Sequence, residues 1–214
     1  MKQAQWRTFA DKHLRPLLGE VKAVRDLALI PGDEWLLRAL ALESSDFSPT
    51  KFSLTAFVLP LYVPTRYLYF TFGDRLGRMS GEGEKWWDAL DPEWELDVVL
   101  HVRREAMPFF DRVGDPSALF AYIDSELEMQ AQSDPRIAEV RAYSLLLSKR
   151  WEEAQSEIAN AKALAAKWSH EMWAREVAER LNSVIRDISA DRDQVIAKFR
   201  EWRRQNYEVL KLAA

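Results

Sequence analysis

The side chains able to do chemistry are few and scattered. His13, His101 and His170 are the only histidines in 214 residues, and there is no cysteine. Each histidine falls in a different expected helix. None has a second His, Asp or Glu at a metal-ligand spacing, and His170-Glu171 lacks the second histidine of a zinc-protease helix. Isolated surface or capping histidines are therefore expected, and no metal site. The absence of cysteine removes disulfides, thiolate nucleophiles and cysteine-built metal centres, and fits a reducing compartment. Gly73-Asp74-Arg75-Leu76-Gly77 holds two of only seven glycines. No Lys-Ser/Thr follows it, so it reads as a turn after the last strand, with Asp74 and Arg75 pairing to fix it, and not as a phosphate loop. No nucleophile elbow, kinase-type cluster or Ser-Lys pattern occurs. The expectation is a protein with no catalytic residue and no cofactor, not an enzyme.

One segment departs sharply from the mean. The chain carries a formal net charge of −4. Yet Gly81–Asp97 alone sets seven carboxylates, Glu82, Glu84, Asp88, Asp91, Glu93, Glu95 and Asp97, against the single Lys85. Trp86, Trp87 and Trp94 are interleaved with them. Large aromatics supply anchoring area and carboxylates supply steering, a combination suited to docking a partner protein with a basic face. The competing account is that the tryptophans pin a long connection onto a sheet while the acids face water. On the docking account Glu82, Glu84, Trp86, Trp87, Asp88, Asp91, Glu93 and Trp94 form the partner-binding set. Replacing its acids by Ser or Gln would then slow association and weaken its salt dependence. The last helix is biased the other way, with Lys198, Arg200, Arg203, Arg204 and Lys211 against Glu201 and Glu208. Bases on a terminal helix are commonly a solvated face, and the overall acidity argues against nucleic acid as a partner.

The elements that must hold these residues follow from periodicity. Lys2 to about Val21 reads as an amphipathic helix through Trp6, Phe9, His13, Leu14, Leu17 and Leu18, bent or stopped by Pro16. Three strands are expected at Trp35–Leu42, Phe52–Val58 and Tyr67–Phe72, with a fourth at Val24–Ile30; short loops between them point to an antiparallel meander. In the second of these, Phe52, Leu54, Ala56 and Val58 share one face. Glu95–Val113 is helical and divided or kinked at Pro108. Asp115-Pro116 and Ser133-Asp134-Pro135 are helix starts, and further helices cover Trp151–Trp168, Ser169–Ser189 and Asp191–Leu212. The fold class is thus α+β: an initial helix and small antiparallel sheet, residues 1–114, then five or six antiparallel helices, residues 115–214, the two parts sharing one core. Leu54–Val63, the longest apolar stretch, contains Pro60 and is about half a membrane span. With no signal-peptide pattern at the start, a cytoplasmic, membrane-free protein is expected.

Two resemblances bear on function. Ala142, Ala154 and Ala161, with Leu145, make the hairpin Pro135–Lys149 and Trp151–Trp168 resemble a tetratricopeptide unit. A shift of 34 residues meets Glu176 and Ile188 where alanines are needed, so no second copy is present and a generic helical hairpin is the better description. The succession Phe57-Val58-Leu59-Pro60-Leu61-Tyr62-Val63-Pro64, Phe72-Gly73-Asp74-Arg75-Leu76-Gly77, Trp86-Trp87 and Met107-Pro108-Phe109-Phe110-Asp111 resembles an uncharacterised family of bacterial cytosolic proteins. Some of its members sit near toxin–immunity loci, and the likeness spans about residues 1–165. What it implies is an accessory or immunity-like binding role, with no catalytic residues to transfer. The expected function is therefore protein binding. The alternatives are a helical-repeat-like adaptor or regulatory subunit and, after it, an enzyme with a dispersed site.

Overall fold

The computed structural model describes residues 1–78 and 85–212. The chain divides into two compact units, residues 1–59 with 67–112, and residues 60–66 with 113–214. The expected α+β order is present: a helix at the start, a small antiparallel sheet, then an array of helices.

The first unit opens with α1 (Gln3–Phe9), a π-helical turn (Ala10–Leu14) and α2 (Arg15–Leu18), which run on as one helix. Pro16 does not stop it. Proline has no N–H and its ring crowds the carbonyl four residues back. Here the Arg15 N–H reaches five residues back to the Ala10 carbonyl, so the wider turn takes up the misfit. The same device recurs after α3 (Trp94–His101). A π turn (Val102–Ala106) closes with Met107 N–H on the Val102 carbonyl, and Pro108 follows inside α4 (Met107–Arg112). In both places the turn ends two residues before the proline, so each helix is continuous and not divided. Trp6, Phe9, Ala10 and Leu14 form the buried stripe of the first helix. Gly19, at φ +85°, ends it.

The sheet runs β1 (Lys22–Val24), β2 (Leu27–Ile30), β3 (Leu36–Ser44), β4 (Lys51–Pro60) and β5 (Gly73–Arg75) in that order, and β6 (Trp87–Asp88) also pairs with β4. The strand expected at Val24–Ile30 is a hairpin of two, turning at Arg25 with φ +52°. Residues 67–72 were expected as a strand and are not one. Tyr67 and Phe70 are exposed, and pairing with β4 starts only where Val58 N–H meets the Phe72 carbonyl at 2.9 Å. Gly73 explains the position. A Cβ there would lie 2.7 Å from Phe57 Cβ and 2.8 Å from the Ala56 carbonyl oxygen, so the backbones approach where side chains are absent and not where β propensity is highest. The Gly73–Arg75 stretch, expected as a turn, is thus itself the strand. β4 also departs from expectation: Phe52 to Pro60 is buried throughout, so both faces are covered and the alternation of its apolar residues marks no solvent side.

In the second unit, Asp115 and Asp134 cap α5 (Pro116–Glu126) and α7 (Pro135–Leu147), accepting from Ala118 N–H and Arg136 N–H at 2.9 Å each. Leu127 interrupts the helix that Asp115-Pro116 starts, which the sequence carries to about Gln130, leaving a short α6 (Glu128–Ala131). α8 (Trp151–Lys167), α9 (Met172–Ala190) and α10 (Arg192–Val209) complete the array. Ala142, Ala154 and Ala161 are fully buried, as close helix packing requires. The segment 60–66 is anchored in this unit. The Asn206 side-chain amide donates to the Leu61 and Val63 carbonyls at 2.9 and 2.8 Å and accepts from Thr65 N–H at 2.9 Å, while the Tyr62 hydroxyl meets Ser144 Oγ at 2.7 Å. A buried amide satisfied at three points fixes one arrangement of this segment.

Candidate protein-binding surface

The acidic-aromatic segment separates into an inner and an outer set. Strand alternation sends Trp87 inward, and it is 3% exposed, stacked on Phe52 at 5.9 Å. Trp94 opens α3 and is also buried, its ring 4.8 Å from Phe9 and edge-on to Phe52 at 5.4 Å. These two tryptophans hold the segment to the core of the first unit. Trp87 Nε1–H donates to Asp97 Oδ2 at 2.9 Å, and Lys85 Nζ lies 2.7 Å from the same oxygen. Burial pushes the Asp97 carboxyl up, but these two donors and nearby His101 outweigh it and hold it below the usual range.

Trp86 and Asp88 take the opposite side of the alternation. Trp86 is 40% exposed, with the Arg75 guanidinium 4.5 Å above its ring. Asp88 Oδ1 accepts from Leu90 N–H at 3.0 Å, and Asp91 Oδ1 from Glu93 N–H at 2.9 Å. The Leu90 N–H, with help from the Thr50 hydroxyl, holds Asp88 below the ordinary carboxylate range, so the turn keeps its charge. Leu90, between the two aspartates, is 78% exposed. Asp91 and Glu93 are exposed and enter no ion pair among the described residues. Glu82 and Glu84 lie outside the described residues.

A second turn joins this surface. The β4–β6 register pairs Lys51 with Asp88 and Phe52 with Trp87, and Ala89 N–H donates to the Thr50 carbonyl at 2.9 Å. Residues 45–50, the tip of the β3–β4 hairpin, are thereby brought alongside residues 88–91. At that tip Phe47 is fully exposed, next to an exposed Asp46. Sequence reasoning missed both. The available signal was a bare phenylalanine inside Ser44-Ser45-Asp46-Phe47-Ser48-Pro49, a run otherwise made of turn residues. The surface therefore presents Phe47, Leu90 and Trp86 among Asp46, Asp88, Asp91 and Glu93. Exposed apolar side chains among carboxylates, only Asp88 of which has a lysine opposite it (Lys51), are a composition suited to docking, and nothing in the group provides a nucleophile with a base.

His13 and His101 are not isolated, contrary to expectation, while His170 is the surface histidine expected. His13 Nε2 meets Glu95 Oε2 at 2.7 Å and Lys12 Nζ meets the same oxygen at 2.9 Å. Lys12 first, then His13, hold the Glu95 carboxyl low. His101 Nδ1–H donates to the Asp97 carbonyl at 2.8 Å, with Glu105 Oε1 3.9 Å from its other nitrogen. Glu105 in turn accepts from Gly77 N–H at 2.7 Å. His170 is exposed and lies 3.4 Å from Glu171. The π turns present Lys12, His13 and Glu105 to these partners, a rearrangement that spacing in the sequence does not reveal. Among the described residues, no group of three or more His, Asp or Glu is placed to hold a metal ion.

The basic bias of α10 is largely answered within the helix array. Arg204 bridges Glu201 and Glu208 at 2.7 and 2.5 Å, Lys198 pairs with Asp187 at 2.5 Å, and Arg203 covers the Tyr207 ring at 5.4 Å. Asp74 faces Arg112 at 3.9 Å. No helix among the described residues is long and apolar enough to cross a membrane. Comparison with protein-family models, with curated proteins and with solved structures returns no match, so the functional reading rests on the chain's own residues.

Proposed function

We propose that this is a non-catalytic protein-binding protein whose partner presents a basic face to the surface formed by Phe47, Trp86, Leu90, Asp46, Asp88, Asp91 and Glu93. The observation that carries the reading is the combination of two bare apolar turn tips, Phe47 and Leu90, with exposed Asp91 and Glu93, which enter no ion pair among the described residues. The specific form of this proposal is the immunity-like role expected from the sequence, neutralisation of a toxin in the cytoplasm. No cofactor enters it.

The test is capture by the full-length protein from extracts of its native cell. Wild type should retain a basic protein in stoichiometric amount, more weakly at high salt. Phe47→Ser with Leu90→Ser should lose it, while Met129→Ser, exposed in the other unit, should not. Retention that ignores the first pair of substitutions, or no retained protein, would sink the reading. A second reading, an adaptor using the helical unit, is favoured by one observation. An open groove of about 490 Å³ lies between α8 and α9, lined by Gln155, Ala159, Lys162, Ile185, Ile188 and Ser189. Capture abolished by Ile185→Glu and untouched by the turn variants would select it.

A further inference from the structure

We propose that α3 and the π turn after it form a self-complementary seam that pairs two copies of this chain, antiparallel about a two-fold axis. The proposal is separate from the docking surface above and shares only Glu93 with it. Along this helix Trp94, Val98, Val102 and Ala106 face the core, while Glu93, Leu96, Leu100, Arg103 and Arg104 are exposed. Leu96 and Leu100 are 63% and 47% exposed, two large aliphatic side chains one turn apart on the outer side of the helix.

The spacing 93, 96, 100, 103 is the three-four-three pattern of a helix–helix seam, with leucines in the middle and charge at both ends. The ends have opposite sign, Glu93 at the start and Arg103 with Arg104 at the finish. Glu93, Arg103 and Arg104 enter no ion pair among the described residues. An axis crossing the helix at the level of Val98 sets Leu96 of one copy on Leu100 of the other, and Glu93 on Arg103, each contact made twice. That reciprocity is what a two-fold interface demands. Parallel pairing would instead oppose Glu93 to Glu93 and the arginines to arginines. Antiparallel pairing also opposes the two helix dipoles favourably. With only two leucines a side, the pairing is a weak one.

Light scattering behind size-exclusion chromatography, and sedimentation up to about 100 µM, test it with the full-length protein. Wild type should self-associate to dimer. Leu96→Glu and Leu100→Glu should each leave a monomer with unchanged circular dichroism. Glu93→Arg and Arg103→Glu should each weaken dimerisation about tenfold, since each change acts twice across the axis. Combining Glu93→Arg with Arg103→Glu should recover it. A monomeric wild type would overturn the proposal, as would a dimer indifferent to the leucine variants or a double charge swap that fails to recover pairing. Phe47→Ser, which tests the docking surface, should leave the dimer intact, so failure of one proposal is distinguishable from failure of the other.

Discussion

The two charge-rich regions of this chain look symmetrical on paper, one acidic near residue 90 and one basic near residue 200, but the structure treats them differently. Around α10 and its neighbours the charges face one another. Arg204 takes Glu201 and Glu208, Lys198 takes Asp187, and in the interior Arg180 grips the fully buried Glu139 with two bonds of 2.7 and 2.6 Å. Around the 88–93 turn Asp88 and Asp91 instead accept backbone N–H groups, only Asp88 has a lysine opposite it, and Asp91 and Glu93 enter no ion pair among the described residues. A run of like charge is therefore a poor guide by itself. What separates a solvated or self-neutralised face from a docking face is whether the fold brings up the counter-charge.

This contrast can be broken most forcefully in the second unit. Arg180→Ala strands a carboxylate in the interior, and should cost about 3–5 kcal/mol in urea unfolding. Tyr143, whose hydroxyl burial and neighbouring Glu139 push well above the ordinary phenol range, should stay protonated throughout. A loss below about 1 kcal/mol would mean that the pair is not the internal clamp it looks to be.

A smaller effect is expected where the acidic segment is fixed to the core. Asp97→Asn removes the charged acceptor of Trp87 and Lys85 and should cost about 1 kcal/mol at neutral pH, discounted for partial exposure. Asp97 and Glu95 are both held below their unfolded values. Their contribution is therefore complete above the ordinary carboxylate range and disappears as pH falls through the lowered folded values. Stability measured from pH 7 downward should fall less steeply in Asp97→Asn than in wild type. Equal slopes would remove Asp97 from the acid response.

The smallest change in stability belongs to the docking surface. Phe47→Ser and Leu90→Ser should shift unfolding free energy by no more than about 0.5 kcal/mol, because these side chains cover nothing. Their effect should appear only in partner capture. A loss of several kcal/mol would show that the turn tips pack against something in the folded chain, and the contrast between the two regions would collapse.

Several elements were legible in the sequence because local chemistry specifies them. Asp115-Pro116 and Asp134-Pro135 start helices by capping, and the apolar stripe through Trp6, Phe9 and Leu14 needs no distant partner to be recognised. Tyr67–Phe72 misled because its aromatic alternation has high β propensity, while strand position is set by a contact sixteen residues away, at the glycine that lets backbones close. The histidines misled for a related reason: His13 finds its carboxylate 82 residues away, across a π turn.

On its own, then, the sequence determined the α+β order, the helix starts marked by Asp-Pro, the absence of cysteine and the uneven charge. All of these depend on neighbours within a few positions. Only the tertiary structure decided which tryptophans are core, which charges are answered, and that the 88–91 turn joins the end of the 45–50 loop. The burial of Trp87 and the placing of the 88–91 turn depend on pairing Phe52 with Trp87 and Lys51 with Asp88, and no local pattern encodes which strand edge a short segment such as Trp87-Asp88 will join.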